Sequence, residues 1–180
     1  MHRRELLALL GATATASALT PLSATERLEL GRRVHRAARQ QAPGVLTAAE
    51  RAVVSRIADL VIPRTDTPGA VDVGVPAFVD TMMAGWYSTP EVNQFRRGLA
   101  DLDQRAGTGG FAARPESEQA ALLTALEANR GEPGTAEAAF RTLKGLVVHG
   151  YLTAERVQKE VLRAVIIPGR FDGCIPFQPR

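Results

Sequence analysis

The sequence predicts an all-α protein: an irregular bundle of about six to seven helices, with long Pro/Gly-rich loops and an extended C-terminal tail. Three observations predict it. Alanine, the strongest helix former, accounts for 29 of 180 residues. Apolar residues recur at helical spacing in one segment after another. Ser, Thr and Pro stand where those segments begin, and Gly or Pro where they end. Runs of β-branched residues are short, and no internal repeat is visible.

The first element is an address. Residues 1–18 open with His2, Arg3 and Arg4, continue through a mild apolar stretch and close on Ala16-Ser17-Ala18. That is the layout of an export signal. The adjacent Arg3 and Arg4, followed by Glu5, Leu6 and Leu7, give it twin-arginine character. Residues 19–45 read as a basic helical linker. Five arginines stand against two glutamates over 26–40, which suits a solvated helix face. Gln41-Ala42-Pro43-Gly44 ends it.

Residues 46–180 read as one helical domain. Thr47 and Glu50 form a capping box. Val53, Val54, Ile57, Ala58, Val61 and Ile62 follow on one face, and Pro63 stops the helix. Residues 63–76 are a polar loop in which Asp66 and Thr67 can bond their own backbone and Pro68-Gly69 suits a turn. Pro76 opens a helix through Phe78, Val79, Met82 and Met83 to Trp86. Thr89 is the expected N-cap of the next, with Pro90 behind it and Val92, Phe95, Leu99 and Leu102 inward. Gly107 to Gly110 reads as a flexible link. A helix over 115–129 turns Leu122, Leu123 and Leu126 inward. Thr135 caps another that buries Phe140, Leu143, Leu146, Val147 and Val148. Gly150 and Thr153 suggest a break, with a short helix from Ala154 to about Arg163. Residues 165–180 read as an irregular tail.

Composition narrows the function. The chain is 45% apolar and 23% charged, an ordinary globular balance. Its net charge of +3 is too small to imply nucleic-acid binding. Past the N-terminus no apolar run approaches the roughly 18 residues of a membrane span. One cysteine excludes an internal disulfide framework and a Cys-based metal site.

The chemistry-bearing motifs are sparse. No Gly-x-Gly-x-x-Gly, phosphate loop or Gly-x-Ser-x-Gly elbow is present. His2, His35 and His149 lack metal spacing. His149 reads as a satisfied helix-end or interface histidine rather than a catalytic base. Asp66, Asp72 and Asp80 lie close in sequence but lack the pattern of a calcium loop. No catalytic, cofactor-binding or metal-binding residue is therefore assigned. Cys174 stands alone between apolar neighbours. In an exported protein it reads either as a free thiol or as an intermolecular disulfide.

Two blocks resemble a known family. The first runs Ala58-Asp59-Leu60-Val61-Ile62-Pro63, then Thr65 to Ala70, then Gly74-Val75-Pro76-Ala77-Phe78-Val79-Asp80. The second is Gly150-Tyr151-Leu152-Thr153, followed by Pro168-Gly169-Arg170-Phe171-Asp172-Gly173-Cys174-Ile175-Pro176. Together they resemble the gluconate 2-dehydrogenase subunit 3 family over about Leu46 to Pro176. The family more often has an aromatic at Leu152 and Ser at Ala154. The resemblance implies a non-catalytic small (gamma) subunit. Its partner would be a large glucose–methanol–choline-type flavoprotein carrying FAD, which oxidises a sugar or sugar acid in the periplasm. A cytochrome c subunit often takes the electrons. The small subunit brings the export signal to the twin-arginine translocase and helps its partner mature. Such complexes are held at the cytoplasmic membrane.

On this reading the irregular segments are the partner contacts: Asp66, Thr67 and Pro68 in one loop, Tyr151, and the tail residues Pro168, Gly169, Arg170, Phe171, Asp172, Gly173, Cys174, Ile175 and Phe177. Two other classes stay open. One is a stand-alone periplasmic enzyme or sugar-binding protein, with a pocket from Asp66, Asp80, His149 and Arg170. The other is a membrane-surface scaffold with basic residues 27–39 on lipid.

Overall fold

The computed structural model describes residues 22–39 and 44–164. Arg3, Arg4 and every tail residue from Pro168 to Phe177 lie outside that range. Among the described residues there are six α-helices and no strand. They are α1 (Ala24–Arg39), α2 (Ala48–Val61), α3 (Val75–Gly85), α4 (Thr89–Ala106), α5 (Glu116–Glu127) and α6 (Ala136–Thr153). A short 3-10 turn, Phe111–Ala113, precedes α5, and a π turn, Val157–Val161, follows α6. The all-α expectation holds.

The caps explain the boundaries. Glu50 N bonds Thr47 Oγ1 at 3.2 Å, and Thr47 N returns to Glu50 Oε2 at 2.7 Å. The α4 cap lies one residue earlier than expected. Ser88, not Thr89, is the N-cap, and its N–H donates to Glu91 Oε2 at 2.8 Å. Glu91 stands three residues after Ser88, as a capping box requires. Gly107 to Gly110 is fixed rather than loose, because Phe111 N donates to Asp103 Oδ1 at 2.7 Å. That bond tucks Phe111 fully into the core.

Helix α6 is the hub and touches each of the other five described helices. Phe140, Leu143, Leu146 and Val147 are buried as expected. Val148 is not: it is 39% exposed, because its phase on α6 points away from the neighbours. Leu122 is likewise only half-buried, while Leu123 and Leu126 are inside. The polar Gln119, one turn earlier, is buried in their line. Its Nε2 donates to Phe111 O at 2.8 Å and its Oε1 accepts from Arg56 Nε at 2.7 Å.

Helix α1 packs on α3 and α6. Its basic side is solvated, but the opposite side is not that of a linker: Leu30, Gly31, Val34 and His35 are buried. Two aliphatic side chains at about 1.5–3 kcal/mol each make a modest seam, so close backbone approach matters there. A Cβ on Gly31 would stand 2.3 Å from Thr153.

Gly150 does not break α6, which runs on to Thr153. Its role is proximity. A Cβ there would stand 2.7 Å from the Phe78 ring of α3. In an open helix Gly→Ala stabilises by about 1 kcal/mol. Here overpacking, typically about 1–3 kcal/mol, opposes it and outweighs it. Gly150→Ala is expected to lower the thermal midpoint by several degrees, read by circular dichroism. A raised midpoint would contradict the packing described.

Candidate partner-docking face

The loop between α2 and α3 is built by its own polar groups. Ala70 N donates to Ile62 O at 2.9 Å, so the loop closes on the end of α2. Gly69 N donates to Asp72 Oδ2 at 2.9 Å, and Arg64 reaches Asp72 Oδ1 at 3.4 Å. Thr65 Oγ1 donates to Asp66 Oδ1 at 2.9 Å. The loop then meets α6: Tyr151 Oη donates to Pro68 O at 2.9 Å. Of the expected contact residues, Pro68 and Tyr151 are thus brought together, but Tyr151 is buried, so it orders the loop from beneath rather than facing a partner. Asp66 is exposed beside them and Thr67 is half-buried.

Apolar side chains stand outward on the same two elements. Val71 of the loop is 42% exposed and Leu152 of α6 is 43% exposed. Val148 and Leu152 are four residues apart and share one helix face. An ordered loop carrying exposed apolar groups on a rigid helix end suits recognition of another surface.

Of the residues offered for a solitary pocket, Arg170 lies outside the described residues, and Asp66, Asp80 and His149 each have separate surroundings. Asp80 is buried, and Oδ1 accepts from Val45 N at 2.8 Å and Leu46 N at 3.0 Å. Arg51 Nη1 stands 3.4 Å from Oδ2. The carboxylate thus anchors the backbone that leads into α2. Asp66 lies on the exposed loop, and Asp72 ties that loop together. No His/Cys/Asp/Glu cluster with metal-binding geometry occurs among the described residues. No described helix is long and apolar enough to cross a membrane.

The two described histidines flank Phe78, which the sequence alone did not signal, since they lie 114 residues apart by number. The ring centroids of His35 and His149 lie 4.7 Å and 5.7 Å from that of Phe78. His35 Nε2 donates to Gly150 O at 2.7 Å. Burial lowers the His35 pKa, opposed by that bond, with the Arg39 charge adding to the lowering. His149 is not the satisfied histidine expected: its buried Nε2 has no hydrogen-bond partner among the described residues. Burial first, then the charges of His35 and Arg27, push its pKa down to about 4.

A family model described as Gluconate 2-dehydrogenase subunit 3 matches residues 48–169. The match takes in α2 to α6, the polar loop, Tyr151 and the π turn, and covers well over half of the chain. No curated protein and no solved structure matches the chain significantly.

His149 links stability to pH. Unfolded, it takes a proton near its ordinary 6.5; folded, only near about 4. Between these values the unfolded chain binds the extra proton, so stability falls as pH falls through that window. His149→Leu is expected to flatten the decline in denaturation midpoints between pH 7 and 4. An unchanged slope would contradict the environment assigned to the ring.

Proposed function

This chain belongs to the gluconate 2-dehydrogenase subunit 3 family, and from that premise we propose that it is the non-catalytic small (gamma) subunit of a periplasmic FAD-dependent sugar or sugar-acid dehydrogenase. The single observation that carries the proposal is the family match across α2 to α6. In this proposal a large glucose–methanol–choline-type flavoprotein holds FAD and performs the oxidation. A cytochrome c subunit receives the electrons and keeps the assembly at the cytoplasmic membrane.

Two features of the chain support the assignment. The first is the layout of residues 1–18, with Arg3 and Arg4 ahead of an apolar stretch. A signal of that type passes folded proteins, so a partner with FAD in place can travel with this chain. The second is how the buried polar groups are used. Asp80, Gln119 and His35 each bond backbone of their own fold. They stabilise a scaffold rather than converge on a substrate. The proposed docking face is the polar loop with Val71 and the neighbouring Leu152 outward and Tyr151 ordering the loop from beneath; Arg170, Phe171, Ile175 and Phe177, outside the described residues, are further proposed contacts. Aromatic residues and arginine are enriched at the centres of such interfaces. Cys174 is the proposed covalent link to the partner outside the cytoplasm.

The test is an Arg3→Lys, Arg4→Lys variant co-expressed with the flavoprotein, followed by cell fractionation. Both proteins are expected to remain in the cytoplasm, with dehydrogenase activity lost from the periplasm. Normal export of both would overturn the proposal that this chain carries its partner out.

A further inference from the structure

The chain's positive surplus is gathered on one helix. α1 holds Arg27, Arg32, Arg33, Arg36 and Arg39 against Glu26 and Glu29. That surplus of three equals the net charge of the whole chain. The placement is one-sided. Arg32, Arg33, Arg36 and Arg39 recur at i, i+1, i+4 and i+7, which is one side of a helix. Leu30, Gly31, Val34 and His35 occupy the other side and are buried against the bundle. Arg39 pairs with Glu155 at 3.3 Å. Arg32, Arg33 and Arg36 form no ion pair among the described residues. A groove of about 490 Å³ runs beside them, lined by Arg32, Arg36, Arg39 and Lys159, with Glu155 as its one carboxylate among the described residues.

We propose that this arginine face of α1 docks on an anionic lipid bilayer, taking phosphodiester headgroups along the stripe and in the groove. Charge complementarity identifies the occupant. Four cations on an outward helix face, with little acid between them, attract a surface of diffuse negative charge. An acidic patch on a protein partner is the competing occupant, and the vesicle experiment separates the two. α1 lies outside residues 48–169, the part that the family model matches. The apolar side of α1 is already occupied by the core. The helix therefore rests on headgroups without inserting, and the attachment is salt-sensitive. This inference does not depend on the proposed partner.

The test uses the purified full chain carrying Arg3→Gln and Arg4→Gln, which removes the leader's own arginines. It is sedimented with vesicles of phosphatidylcholine alone or with about one third phosphatidylglycerol. Binding is expected to the anionic vesicles at 50 mM salt, with release at 500 mM. Each cation near an anionic surface strengthens partition about fivefold. Adding Arg32→Gln, Arg33→Gln and Arg36→Gln is thus expected to weaken it roughly a hundredfold with helicity unchanged. The corresponding triple Lys variant is expected to retain binding. Equal binding to both vesicle types, binding that survives high salt, or a triple Gln variant that binds like its parent would overturn the proposal. So would failure of the parent to bind anionic vesicles at low salt.

Discussion

The contact at Gly150 is the constraint on which the rest of the architecture depends. With no side chain there, α6 lies against the Phe78 ring of α3. The Gly150 carbonyl accepts from His35 and so ties α1 to α6. The next residue, Tyr151, reaches Pro68 and fixes the polar loop. Three elements distant in sequence are registered by two consecutive residues near the end of one helix. Dense packing makes such a point intolerant of even one methyl group. Burial beside it disfavours the charged forms of both histidines.

Much of the bundle was legible in the sequence because it rests on local rules. The Thr47–Glu50 box, Pro76 at the start of α3 and Thr135 before α6 are all short-range signals, and each cap stands where the chain placed it. The misreadings have equally physical causes. Ser88 and Thr89 are both competent caps, and the partner Glu91 decides between them. Gly150 reads as a helix breaker by propensity, but a tertiary contact overrides propensity. Val148 continues an apolar run, yet helical phase turns it outward. Gln119 falls on the inward line of Leu123 and Leu126, a spacing that flags it in retrospect.

The candidate face was only half legible. Pro68 and Tyr151 could be singled out within family-like blocks, but not their hydrogen bond, which joins residues 83 apart. Asp80 invited a chemical reading as one of three acids close in sequence. Its two backbone donors assign it instead to holding the segment that leads into α2. The histidines around Phe78 depend wholly on how α1 and α6 cross α3, and no local pattern encodes that crossing.

These features support a division of labour within the proposed complex. In that proposal the helices are the frame, the polar loop and tail are the recognition elements, and Arg3 and Arg4 are the export address. The central claim is that this chain serves a larger flavoprotein. The most direct measurement is an affinity pull-down of the tagged chain from its native host, read by mass spectrometry and visible absorption. The account predicts a large co-purifying oxidoreductase with flavin bands. A colourless chain that purifies alone from cells producing active sugar dehydrogenase would contradict it.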